Sequence, residues 1–132
     1  MANALLLIAH GSRQAEANAD LYHVVDGLRQ RGHAVVEAAF LELAEPDIAE
    51  AGRRCVAQGA AVVVLVPYFL SAGVHVRRDL TEARAQLASR FPAVDFRLAE
   101  PLGRHPLLLE VVAERAREAL DGPRSPSEEG HA

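Results

Sequence analysis

Residues 60–66, Ala-Ala-Val-Val-Val-Leu-Val, are apolar at every position and rich in β-branched side chains. A strand with one wet face alternates apolar and polar residues. A run without alternation predicts a strand covered on both sides. Cover on both sides needs helices above and below, so this run commits the chain to a layered α/β fold. Residues 4–9, Ala-Leu-Leu-Leu-Ile-Ala, read as a second such strand.

Around these runs, apolar residues recur at helical spacing. Residues 13–31 place Leu21, Val24, Val25 and Leu28 on one helical face, and Gly32 suits the stop. Residues 34–41 form a further strand ending in Phe40-Leu41. Pro46 suits the first turn of a helix that reaches about residue 58, with Asp47 favourable near its amino end. A helix is expected over about residues 74–90, with Leu80, Ala83 and Leu87 on one face and Pro92 blocking its extension. Residues 94–98 alternate as a fourth strand, and a last helix runs from Pro106 to Leu120 with Leu108, Val111, Val112 and Ala116 inward. The order βαβαβαβα predicts one α/β domain over residues 1–120, a three-layer α/β/α arrangement around a four-stranded parallel sheet. Residues 121–132 are polar and rich in Pro, Gly and Ser; a disordered tail holding His131 is expected. The outer strand and exposed helix faces of so small a domain make a homodimer the expected assembly.

The formal net charge of −4, with no basic block, speaks against a nucleic-acid partner. The longest apolar runs are strand-sized, too short to cross a bilayer, and Met1-Ala2-Asn3-Ala4 lacks the basic start of a secretory signal. The lone Cys55 rules out an internal disulfide, fits a reducing cytosol, and falls on the apolar side of its helix as a core residue.

Chemistry concentrates at strand ends. His10 closes the first apolar run and is followed by Gly11-Ser12-Arg13; His75 follows the run 60–66 and its loop. In parallel α/β sheets ligands bind at the carboxyl ends of strands. Three loops should converge there: one with His10, Ser12 and Arg13, one with Glu42 and Glu45, and one with Tyr68, Phe69, Leu70 and His75. Two imidazoles with a carboxylate suit a divalent first-row metal and leave coordination positions open. The largely apolar stretch 67–74 suits a flat, greasy ligand better than a sugar or phosphate. His23 and His33 read as surface residues and His105 as a helix-opening residue. The Gly11-Ser12 turn before a helix is a weak anion signal, and no glycine-rich nucleotide fingerprint is present.

His10-Gly11-Ser12-Arg13, Phe40-Leu41-Glu42-Leu43 with Glu45-Pro46, Val66-Pro67-Tyr68-Phe69-Leu70 through His75 to Asp79-Leu80, and Pro101-Leu102-Gly103 with His105-Pro106 occur in this order. Together they resemble the small sirohydrochlorin chelatases of the CbiX/SirB type, over about residues 4–120. The resemblance implies a chelatase-type α/β fold and insertion of a divalent metal, cobalt, iron or nickel, into sirohydrochlorin, with no cofactor beyond that metal. Longer members carry two such domains and some carry a histidine-rich stretch that this chain lacks. The family's metal-site residues fall here on His10, Glu42 and His75. Removing pyrrole protons and stripping the ion's water suits neutral imidazoles as ligands or proton acceptors. The substrate's carboxylates need local cations on an acidic chain, and Arg13, Arg77 and Arg78 are the candidates, with Ser12, Tyr68, Phe69 and Leu70 as further substrate contacts. Two other readings compete. A metal-delivery protein would use the same histidines without needing the apolar loop. A regulatory α/β module would leave His10 as a plain strand-end residue.

Overall fold

In the computed structural model, which describes residues 2–123, strands and helices alternate strictly. The order is β1 (Ala2–Ala9), α1 (Ala15–Gln30), β2 (Val35–Phe40), α2 (Ile48–Ala57), β3 (Ala60–Pro67), α3 (Val74–Arg90), β4 (Asp95–Leu98) and α4 (Pro106–Asp121). The chain divides into two compact units, one ending at Leu102 and the other beginning at Gly103.

The first unit holds the sheet. Its four strands lie in the order β2-β1-β3-β4, every pairing parallel. The period of two along each strand sends side chains to opposite faces. Leu6, Ile8, Val63, Leu65 and Phe96 meet Ile48, Ala51 and Cys55 of α2 and Leu80 and Leu87 of α3 on one face. Leu7, Val36, Ala38 and Phe40 meet Leu21 and Val25 of α1 on the other. Burying an aliphatic or aromatic side chain of this size contributes about 1.5–3 kcal/mol, so these two clusters anchor the strand ends that carry the loops. Helices α2 and α3 touch closely at Gly52, where a Cβ would come within 2.6 Å of a Leu87 methyl.

The helix expected to start around Pro46 starts later. The Asp47 carboxylate accepts from the Glu50 amide at 2.9 Å and caps α2, so Pro46 stays outside the helix. In the second unit, His105 caps α4 with Nδ1 accepting from the Leu107 amide at 3.1 Å, and Pro106 takes the first helical position, where its missing N–H costs nothing. The expectation for this helix's inward face needs correction. No residue of α4 is buried: Leu108 is half-buried, while Val111, Val112 and Ala116 are exposed. Periodicity detects an apolar face but not what covers it. Asp121 ends α4 rather than opening the tail, and residues 124–132, including His131, lie outside the described residues.

Candidate functional site

Because β1 runs between β2 and β3, the carboxyl ends of these strands come together in the first unit. The ladder continues past the strands. The Leu41 amide donates to the Ala9 carbonyl and the Glu42 amide to the His10 carbonyl, both at 3.0 Å; the Tyr68 amide donates to the Ile8 carbonyl at 2.7 Å. Gly11 makes the approach on the β2 side possible. Its φ is +96°, and a Cβ there would lie 1.9 Å from the Glu42 carbonyl oxygen, so no residue with a side chain fits without displacing that loop.

A cavity of about 430 Å³ opens at this edge, lined by His10, Glu42, Asp47, Val76, Asp79 and Gln86 among others. His10 and Glu42 therefore line the same cavity, as their strand-end positions predict. Glu45 does not line it and sits in a separate surface depression with Glu50 and Arg54. Val76, Asp79, Ala83 and Gln86 present one face of α3 to the cavity. Asp79 and Gln86 were not among the expected site residues. The signal that finds them is their helical spacing from Val76, which puts all of them on one stripe.

His75 is not among the residues lining this cavity. It is exposed in the first turn of α3, with Nδ1 2.9 Å from Nη2 of Arg78. A guanidinium has no acceptor, so Nδ1 accepts here, and a neutral ring so held carries its proton on Nε2. Among the described residues, no three His, Cys, Asp or Glu side chains converge closely enough to hold a metal ion.

The other expected contacts divide by what already engages them. The Ser12 hydroxyl accepts from the Gln14 amide at 3.0 Å in the turn leading to α1. Arg77 donates from Nε to the Ala72 carbonyl at 3.1 Å and pairs with Glu100 at 3.5 Å, which ties the start of α3 to the loop after β4. Tyr68 packs with the α1-side cluster, and Phe69 packs with the α2/α3-side cluster and against the His10 ring. Leu70 is 64% exposed. Arg13 is exposed and forms no ion pair among the described residues.

The strongly shifted groups lie elsewhere. Burial, reinforced by the negative charge of Glu37, pushes the Cys55 thiol up to about 12, so this side chain offers no thiolate at neutral pH. Hydrogen bonds from Arg53 hold the exposed Glu50 carboxyl below its ordinary range.

The CbiX family model matches residues 4–119. The chain belongs to the CbiX family. This CbiX chain is 39% identical over 120 residues to a protein named sirohydrochlorin ferrochelatase, chloroplastic, from Arabidopsis thaliana; the match spans 90% of this chain and 53% of that protein. Its fold matches the crystal structure of a putative cobalamin biosynthesis CbiX protein from Marinobacter aquaeolei with a TM-score of 0.79 and 30% identity, over 90% of this chain and 98% of that one. It also matches the sirohydrochlorin chelatase SirB from Bacillus subtilis subspecies spizizenii, in complex with cobalt, with a TM-score of 0.81 and 32% identity, over 89% of this chain and 51% of that one. The CbiX chain thus spans about half the length of the chloroplast protein and of SirB, and nearly all of the Marinobacter protein. No helix among the described residues is long and apolar enough to cross a membrane.

Proposed function

We propose that this chain is a lyase that inserts a divalent metal ion into sirohydrochlorin, cobalt before iron, with nickel as the third metal to test. The observation that carries this reading is the pairing of His10 and Glu42 on one open cavity, at adjacent parallel strand ends of a CbiX-family chain. Imidazole nitrogen and carboxylate oxygen together accept first-row divalent ions. A complete protein shell would retain the ion, whereas an incomplete one releases it to the macrocycle nitrogens. In this reading His10 and Glu42 receive the metal, and His75 completes the set from the first turn of α3. The exposed Arg13, with Arg77 and Arg78 across the edge, meets substrate carboxylates, and the exposed Leu70 meets the ring. Ser12, Tyr68 and Phe69 hold these groups in place. The exchange takes one dication in and sends two pyrrole protons out. It is balanced in charge and redox-neutral, and it draws on no cofactor beyond the metal substrate.

The same proposal includes a homodimer, supported by the exposed Leu107, Leu109 and Val112 of α4, and a reducing cytosolic setting, supported by the buried free thiol of Cys55. Light scattering on the purified chain reads the first point.

The deciding experiment is optical. The protein is mixed with sirohydrochlorin and each metal in turn, and the tetrapyrrole absorption is followed against a protein-free control. Protein-dependent conversion with cobalt or iron is expected. Cobalt binding without any acceleration of conversion would overturn the reading in favour of metal delivery.

A further inference from the structure

Phe69 makes a contact that its sequence position does not announce. Its ring lies against the His10 imidazole, with centroids 4.5 Å apart and planes tilted by 31°. Among the described residues, the rings of His75 and His105 make hydrogen bonds through Nδ1, and the ring of His10 makes none. An imidazole that serves a metal is ordinarily oriented by a hydrogen bond to its second nitrogen, which also fixes the tautomer. Among the described residues, His10 has the ring contact with Phe69 and no side-chain hydrogen bond to set its plane. A contact through the ring face engages neither ring nitrogen, the N–H or the lone pair.

Phe69 is itself firmly seated. It is half-buried and packs against the α2/α3-side core, and its carbonyl accepts from the Leu102 amide at 3.0 Å. The preceding Tyr68 packs on the opposite side of the sheet, and its amide is held by the Ile8 carbonyl at 2.7 Å. The dipeptide is thus clamped across the sheet edge, one ring on each side.

We propose that Phe69 is a positioning residue that holds the plane of the His10 imidazole through ring contact and leaves both of its nitrogens available to the reaction. The proposal rests on the metal-insertion reading for its functional consequence, and on ring geometry alone for its structural one. A loosened imidazole costs turnover rather than substrate affinity, because misorientation of a reacting group raises the barrier without removing a binding contact.

The test uses the full chain and two readouts. In proton NMR of the wild-type protein, the His10 ring resonances should lie upfield of those of His23 and His33, which are exposed, because the phenyl ring current shields them. Coincidence of these resonances overturns the proposal without any variant. In Phe69→Leu the His10 resonances should move downfield. The kcat for insertion should fall about tenfold or more, with KM for sirohydrochlorin within about twofold of wild type. Phe69→Tyr, which keeps the ring, should retain both. A Phe69→Leu protein with raised KM and unchanged kcat would make Phe69 a substrate contact and overturn the proposal. If the wild-type chain inserts no metal, the functional reading fails by itself, and the resonance shifts alone decide whether Phe69 orients His10.

Discussion

The two flanks of His10 are built by different means. On the β2 side the backbone does the placing: two ladder-like amide bonds, from Leu41 and Glu42, and a glycine at φ +96° bring Glu42 alongside His10. On the β3 side the backbone holds Tyr68 and Phe69, through the Ile8 carbonyl and the Leu102 amide, and beyond Phe69 the placing falls to side chains. Phe69 rests on the imidazole, Arg78 holds His75, and Leu70 and Val74 stand 64% and 80% exposed. Backbone placement comes with the fold and resists side-chain substitution, except where a new atom enters the crowded space. Placement by exposed side chains is easily lost one residue at a time, each at small cost.

The sharpest way to break the first flank is Gly11→Ala. The methyl must occupy space 1.9 Å from the Glu42 carbonyl oxygen at a positive φ. We expect loss of more than about 2 kcal/mol in urea unfolding, and a fall in insertion rate of at least about 100-fold. Unchanged stability would mean that the two loops do not approach as described. His10→Ala should keep the fold and lose about 100-fold in insertion, with His75→Ala no worse. A larger loss in His75→Ala would reverse the ranking of the flanks.

Glu42→Gln keeps shape and removes charge; insertion should slow by about tenfold, roughly 1.4 kcal/mol. Glu45→Gln should hardly change it, since Glu45 lies outside the cavity. On the other flank, Arg78→Ala should cost only about two- to threefold, because exposed contacts of this kind contribute under about 1 kcal/mol.

The smallest effect is expected beneath the first flank. Cys55 is fully buried and its thiol is pushed up to about 12, so alkylating reagent at pH 8 should leave native protein unlabelled and activity intact. The sign for stability follows from that shift. A raised thiol favours the folded state below the ordinary thiol range near 9, and this advantage is lost between about pH 9 and 12, worth about 4 kcal/mol in all. Rapid labelling at pH 8 would show that α2 opens and that the backbone-built flank is not rigid.

Much of this was legible in the residues. The apolar runs at 4–9 and 60–66 and the helical spacing between them gave the parallel sheet, and the strand-end position of His10 gave the edge where the cavity lies. What stayed hidden depends on rotation and reach. Asp79 and Gln86 are ordinary polar helix residues until the roll of α3 is known. The exposed contacts of Arg77 with Ala72 and Glu100 depend on how the loops meet, which the sequence does not state. That the Phe69 ring packs on His10 is visible only once the two loops are placed. For α4, the pattern reported an apolar face correctly but said nothing of its covering.

Leu43 carries a different consequence. It follows Glu42 with φ at 63°, a left-handed conformation that costs a branched residue roughly 1–2 kcal/mol, and its side chain is 52% exposed. A library of substitutions at position 43 screened only for survival of heat should therefore drift toward glycine and asparagine. The same library screened for turnover would reveal whether an exposed leucine beside Glu42 is retained for its side chain. Divergence between the two screens would make position 43 a place where thermal tolerance and catalysis select against each other.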